Sequence, residues 1–319
     1  MKRVFFLILA LHYLAFFSAK CQDLGSYQED SISIEGDHNK IFGSIIIPYP
    51  NIDRAVALII AGSGPTDRNG NNPMMKNNSL KMLAESLAEK GIASLRYDKR
   101  GVAASLAAGM PEKSLRFEHY IDDAISWMEM LSKDERFDKT MIIGHSEGSL
   151  IGMIAAARSN TDAFISIAGP GEAADLVLKR QLISQPPFIR DRLYAMIDSL
   201  KEGFTLKKVD PSYYTLFRPS VQPYLISWFR YDPQIEIKKL NIPILIIQGS
   251  TDIQVGIEDA EKLKKAVPEA KLTIIKGMNH IFKPSSSDRQ ENIATYRDPD
   301  LPIVEELIRE IVDCITALE

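Results

Sequence analysis

The pentapeptide Gly144-His145-Ser146-Glu147-Gly148 constrains this chain more than any other feature. It follows the apolar run Met141-Ile142-Ile143 and leads into Leu150-Ile151-Gly152-Met153-Ile154-Ala155-Ala156-Ala157. A strand without polar residues that passes directly into an alanine-rich helix predicts a strand–turn–helix unit. Glycines on both sides of Ser146 leave room for a strained turn that lifts its hydroxyl above the edge of a sheet. Three fixed Gly and Ser positions alone give on the order of 0.1 chance matches in a chain of this length. The spacing by itself therefore also fits a plain glycine-rich turn, and partner residues must decide.

The rest of the chain alternates in the same way. Strand-like runs fall at 31–34, 40–47, 55–61, 92–97, 141–144, 163–168, 243–248 and 271–276, with helical patterns at 79–90, 117–131, 147–158, 257–267 and 302–318. The first strands have no helix between them, which predicts an antiparallel hairpin leading into a mostly parallel sheet flanked by helices. Residues 284–302 read as a polar loop before the last helix. Between 168 and 243 the alternation stops. Helices at 173–184 and 188–200, split by Pro186-Pro187, and an aromatic stretch at 213–231 are expected to form a helical cap. The expected organisation is a signal segment 1–21, a first core part 22–170, a cap insertion 171–235 and a second core part 236–319.

A hydroxyl acts as a nucleophile near neutral pH only if an imidazole takes its proton and a carboxylate orients that imidazole. Of five histidines, His12 lies in the N-terminal segment, His38 in a polar turn, and His145 within the pentapeptide itself. His119 sits on an amphipathic helix with Phe117, Tyr120, Ile121, Ala124, Ile125 and Met128, where packing explains it. His280 ends a strand followed by Gly277-Met278-Asn279, the kind of loop that carries a base. Asp252 closes Gln248-Gly249-Ser250-Thr251-Asp252 at the carboxyl end of a buried strand. It is also placed to cap the helix beginning near Ile257.

With these motifs in the order Ser146, Asp252, His280, the chain resembles the α/β-hydrolases from about Ile41 to its C-terminus. The stretch Gly62-Ser63-Gly64-Pro65-Thr66-Asp67-Arg68 and the His-Ser-Glu-Gly elbow are most similar to bacterial carboxylesterases of the EstD type, within the serine aminopeptidase-like S33 grouping. Two departures stand out. Ala61-Gly62 replaces the usual His-Gly, and Gly101-Val102-Ala103-Ala104-Ser105 lacks a second glycine found in relatives. The resemblance implies an α/β-hydrolase fold with a helical cap, a Ser146–His280–Asp252 triad, and an oxyanion hole from the N–H groups of Glu147 and Ser63, with Gly64 as the other candidate beside Ser63. It implies a carboxylesterase of small acyl esters, while aminopeptidase, thioesterase and acyltransferase chemistry use the same parts, and a binding protein on an inactive hydrolase fold is the non-enzyme alternative.

Other charged residues are read more plainly. Asp98-Lys99-Arg100 can be read as substrate contacts, but as a charged turn after a strand it is expected to be an ion-paired structural corner. Arg68 is either a holder of a substrate carboxylate or part of a solvated loop. Glu172, Asp175 and Glu202 are the cap carboxylates an aminopeptidase would need for a substrate amine.

Lys2-Arg3 before the apolar run 4–17, then Ser18-Ala19-Lys20-Cys21-Gln22, has the layout of a secretory signal cleaved before Gln22; the run is too short for a membrane span. Acylation of Cys21 is the lipoprotein alternative. Removing 21 of the 319 residues leaves 298, enough for one large α/β domain, and loss of Lys2, Arg3 and Lys20 takes the net charge from −4 to −7. Cys314 is then the one remaining cysteine, so no internal disulfide is expected. No basic cluster supports nucleic-acid binding, and no His/Asp/Glu spacing calls for a metal or other cofactor. The expected partner is a small-molecule ester; the oligomeric state is open.

Overall fold

The computed structural model describes residues 27–50 and 54–318. The expected signal segment, its Cys21 and its cleavage point lie outside the described residues. Eight strands form one sheet in the order β1-β2-β4-β3-β5-β6-β7-β8. They are β1 (Tyr27–Glu35), β2 (Lys40–Pro48), β3 (Ala55–Ile60), β4 (Ala93–Tyr97), β5 (Lys139–His145), β6 (Ala163–Ile167), β7 (Ile244–Gly249) and β8 (Lys271–Ile275). β1 pairs antiparallel with β2, and β2 with β4; every other pairing is parallel. This is the α/β-hydrolase fold, with the antiparallel hairpin where the sequence predicts it.

Burial follows position in the sheet. β3, β4, β6 and β7 are buried at every residue because helices cover both faces; β3 is a continuous apolar run, and the others are mostly apolar with buried Ser94, Arg96, Ser166 and Gln248 among them. β1 is the edge, and its exposed Glu29, Asp30 and Glu35 discourage pairing with another chain. On one face pack α1 (Ser79–Glu89) and the C-terminal helix, through Leu80, Leu83, Leu87, Leu307, Ile308 and Ile311. On the other pack α2 (Phe117–Ser132), α3 (Glu147–Ala156) and a later helix, through Phe117, Trp127, Leu150, Ile154 and Leu263. Helix α3 is buried all round, which is why its sequence shows no polar stripe.

Between β6 and β7 the chain runs through α4 (Ala174–Gln181), α5 (Pro187–Lys201), the single turn α6 (Tyr214–Phe217), α7 (Gln222–Trp228) and the single turn α8 (Pro233–Glu236). These helices share a small apolar cluster of their own around Leu193, Ile197, Leu200, Phe217, Leu225 and Phe229. α9 (Ile257–Ala266) follows β7. The stretch read as a polar loop contains a helix, α10 (Arg289–Thr295), started by Asp288, whose side chain accepts from the N–H groups of Gln290 and Glu291. Its polarity masked a two-turn helix, since only Asn292 of it is buried. The last helix, α11 (Glu305–Thr316), begins three residues later than expected. Among the described residues, no helix is long and apolar enough to cross a membrane.

Connectivity decides where a ligand can sit. From β3 the chain moves to β4 on one side and then returns to β5 on the other. Such a reversal leaves a crevice at the carboxyl ends of the two strands. The loop after β3 carries Ser63 and the turn after β5 carries Ser146.

Candidate active site

Ser146 takes φ 55° and ψ −123°, a conformation that costs a residue with a Cβ of order 1–3 kcal/mol. Its flanking glycines serve close approach. A Cβ on Gly144 would lie 2.4 Å from the Gly148 oxygen, and one on Gly148 would lie 2.3 Å from the Ile60 oxygen. The chain can turn this sharply only because helix α3 lies against the ends of β3 and β5. Gly62 belongs to the same contact, since a Cβ there would stand 3.1 Å from that of Ser146.

His280 and Asp252 meet. The imidazole Nδ1 lies 2.7 Å from Asp252 Oδ2, and both side chains are almost fully shielded from solvent. A carboxylate only accepts, so Nδ1 carries the proton and Nε2 is left as a base. Burial alone would raise the Asp252 carboxyl, but the charge and hydrogen bond of His280, with N–H bonds from Val255 and Gln254, outweigh it and hold the group below its ordinary range. Asp252 Oδ1 takes the N–H groups of Gln254 and Val255 at 2.7 and 3.0 Å. Loop-stabilising and imidazole-orienting roles therefore coexist on one carboxylate. Ser146 and His280 line the same cavity.

His145 does not face this chemistry as a base. Its Nε2 donates to the backbone oxygen of His280 at 2.9 Å, and its ring packs between those of His280 and Phe282. Burial, reinforced by the charge His280 would carry, pushes its pKa down to about 3, so it stays neutral. His119 is an N-terminal cap, its Nδ1 accepting the Arg116 N–H at 3.0 Å.

The charged corner is ion-paired as expected, yet it is buried, and one member reaches the site. Lys99 is 1% exposed and donates to the Gly62 carbonyl at 2.6 Å, with Glu147 Oε1 at 3.7 Å and the Tyr120 ring at 5.1 Å. Desolvation lowers its pKa against the opposing pull of Glu147. In a trans peptide the carbonyl and N–H point opposite ways, so fixing the Gly62 oxygen aims the Ser63 N–H. Glu147 is itself buried and accepts from the Tyr224 hydroxyl at 3.2 Å. Ser63, Glu147 and Ser146 line one cavity.

Arg68 is bound elsewhere. Its guanidinium grips Asp98 through Nε at 3.1 Å and Nη2 at 2.8 Å, and Ser44 through Nη1 at 3.1 Å, so of the two alternatives it is neither free to hold a substrate carboxylate nor part of a merely solvated loop. Of the cap carboxylates, Glu172 borders the cavity beside Ser146, but Arg180 at 2.8 Å and Lys262 at 2.5 Å neutralise it. Asp175 pairs with Lys201 at 3.2 Å, and Glu202 is exposed. The 101–105 loop compensates for its missing glycine with Ala103 at φ 44°, opening a 3₁₀ turn.

Sequence reasoning passed over Lys99 as a contact to the site. It also missed Gln248, whose Nε2 donates to Asp252 Oδ2 at 3.1 Å and to the Val255 carbonyl at 2.9 Å. The available signal was position: both lie at or just past the carboxyl end of a parallel strand. Among the described residues, no group of three or more His, Cys, Asp and Glu is arranged to hold a metal ion.

Comparison with known proteins agrees with this fold. Residues 76–214 match the family described as serine aminopeptidase, S33. Esterase EstD of Thermotoga maritima is 27% identical over 265 residues, covering 82% of this chain; the chain spans 61% of that relative's length. Est1E from Butyrivibrio proteoclasticus superposes with a TM-score of 0.58 at 18% identity, covering 90% of this chain and 99% of that one. The Pyrococcus furiosus esterase Pf2001 does so with 0.57 at 14% identity, covering 92% and 94%. At such identities the two structures speak for the fold. Sheet order and elbow give the chain the α/β-hydrolase fold, and in sequence it resembles the EstD-type esterases and the S33 group.

Proposed function

We propose that this chain is an exported serine hydrolase, a carboxylesterase acting on small acyl esters. The observation that carries the reading is His280 Nδ1 at 2.7 Å from a buried Asp252, with Nε2 left as a base and Ser146 on the same cavity. Ser146 Oγ attacks the ester carbonyl while His280 Nε2 takes its proton. The carbonyl oxygen gains the negative charge and is met by the N–H groups of Ser63 and Glu147, the latter at the positive end of α3. Collapse expels the alcohol, which receives the proton from His280. Water then attacks the acyl-serine with His280 again as base, releasing the acid. Every step is a proton or acyl transfer, so no metal or other cofactor is required.

An aminopeptidase needs an uncompensated carboxylate for the substrate amine. The one carboxylate beside the cavity in the cap, Glu172, already has two cationic partners, which favours the ester reading. The EstD relative supports it too. Export rests on the Lys2-Arg3 and apolar layout of the N-terminus.

The test is a panel of p-nitrophenyl esters, acyl thioesters and aminoacyl-naphthylamides. Short to medium acyl esters are expected to give the highest kcat/KM, and Ser146→Ala is expected to lose turnover by about 10³-fold or more while blocking fluorophosphonate labelling. Tenfold preference for an aminoacyl amide, about 1.4 kcal/mol in the transition state, replaces this reading with a peptidase.

A further inference from the structure

The esterase reading leaves the alcohol half of the substrate open, and two cavities that meet at Ser146 divide the problem. One, about 210 Å³, contains Ser146, Glu147 and the apolar side chains of Leu150, Val177, Leu178 and Trp228, without His280. The other, about 200 Å³, contains Ser146 and His280. The leaving oxygen must receive its proton from His280, so the alcohol occupies the side on which His280 lies. The acyl chain then takes the apolar cavity.

The chemistry of the His280 side is distinctive. Besides Ser146 and His280 it is lined by Asn72, Asn77, Ser79, Gln254 and Tyr296, and no Asp, Glu, Lys or Arg borders it. Asn77 and Ser79 are each 1% exposed. Asn77 Oδ1 accepts the Ser79 N–H at 2.9 Å. The Asn77 amide nitrogen and the Ser79 hydroxyl have no hydrogen-bond partner among the described residues. Asn72 Oδ1 is taken by the N–H groups of Met74 and Met75, leaving its amide nitrogen to donate. Gln254 Nε2 donates to the Tyr296 hydroxyl at 3.0 Å, which leaves one acceptor on the amide and one donor on the phenol. These groups open onto the cavity, so a ligand that displaces their water without replacing its hydrogen bonds binds less well. A site made of them rejects an apolar analogue for that reason.

We propose that the alcohol released by this enzyme is a neutral compound bearing several hydroxyl groups, a polyol or a single sugar unit, esterified by a short apolar acyl group. The inference rests on the esterase reading. Hydroxyls both donate and accept, which matches a wall of amides and hydroxyls with both capacities free. A phosphate, carboxylate or ammonium on the alcohol would find no opposite charge there.

The test compares butyrate esters of glycerol and of glucose with cyclohexyl and n-butyl butyrate, the acyl group held constant. The polyol esters are expected to exceed the apolar ones at least tenfold in kcat/KM. That ratio is expected to fall at least threefold in Ser79→Ala and in Asn77→Leu, read as a ratio within each protein so that a general loss of activity cancels. Equal or inverted preference in the wild-type enzyme overturns the proposal, while fluorophosphonate labelling and p-nitrophenyl butyrate turnover in the same preparation show the esterase reading intact. Absence of both labelling and turnover overturns the esterase reading, and this inference with it.

Discussion

Ser146 is held at φ 55° and ψ −123°, and the strain of that conformation can be measured by comparing two substitutions that both remove the hydroxyl. Ser146→Ala keeps the Cβ and hence the strain. Ser146→Gly removes it. A non-glycine residue in such a region costs of order 1–3 kcal/mol, whereas glycine loses roughly 0.5–1 kcal/mol more chain entropy on folding than alanine. The difference favours the glycine variant by about 0–2.5 kcal/mol, about 1.2 kcal/mol at the midpoints. At roughly 2–4 °C per kcal/mol for domains approaching this size, the midpoint gain is about 2–5 °C in Tm. Thermal unfolding of both variants, with ester turnover as the parallel assay, is the experiment. Both are expected to lose about 10³-fold or more in turnover, which makes Ser146 a position where stability is given up for function. A glycine variant no more stable than the alanine variant would refute the argument that the elbow stores strain.

Lys99→Met is expected to lower kcat about ten- to hundredfold with little change in KM, because it frees the Gly62–Ser63 peptide without removing its N–H. Adding Glu147→Gln is expected to restore stability but not kcat, and recovery of both would make Lys99 merely structural. His145, neutral when folded with a pKa of about 3 against an ordinary 6.5, binds a proton only on unfolding between those values. Stability therefore falls as pH drops through that window, and His145→Gln is expected to shrink the fall in urea titrations at pH 7 and pH 4. EDTA is expected to leave ester turnover unchanged; loss restored by zinc would overturn the serine mechanism. N-terminal sequencing of the exported protein is expected to begin near Gln22, palmitate incorporation at Cys21 would favour the lipoprotein route, and an intact Met1 on a cytoplasmic product would refute both.

What the sequence made legible follows from local patterns. All eight strands appear in it, most plainly where a buried parallel strand such as 55–60 is an uninterrupted apolar run. The elbow was legible because close packing admits only glycine at 144 and 148. Asp252 and His280 could be paired because strand ends converge on one edge of a parallel sheet. Helix α10 was not legible, since its single buried residue leaves no apolar period to find. Nor was the alcohol-side wall, where Asn77 and Gln254 come from loops about 180 positions apart and resemble ordinary turn residues.

The charged corner shows how a correct local reading can still miss function. Three consecutive residues after β4 were expected to form an ion-paired structural corner, a kind of pairing that contributes little where it is exposed. All three are buried, and each points to a different partner. Asp98 takes the Arg68 backbone N–H at 2.7 Å as well as its guanidinium, Lys99 holds the Gly62 carbonyl at 2.6 Å, and Arg100 binds Asp123 at 2.8 Å and Asp37 at 2.9 Å. Buried pairs of this kind contribute little net stability over an apolar replacement, because desolvation offsets attraction. Their effect is geometric. Asp98 and Lys99 grip the segment after β3 at Arg68 and at Gly62, on either side of Ser63. That segment supplies the proposed oxyanion donor and continues into Asn72 and Asn77 of the proposed alcohol wall. Arg100 anchors the same corner to α2 through Asp123. A flexible glycine-rich loop is thereby tied to the rigid sheet at two points, and the positions of catalytic N–H and binding amides depend on charges that touch no substrate.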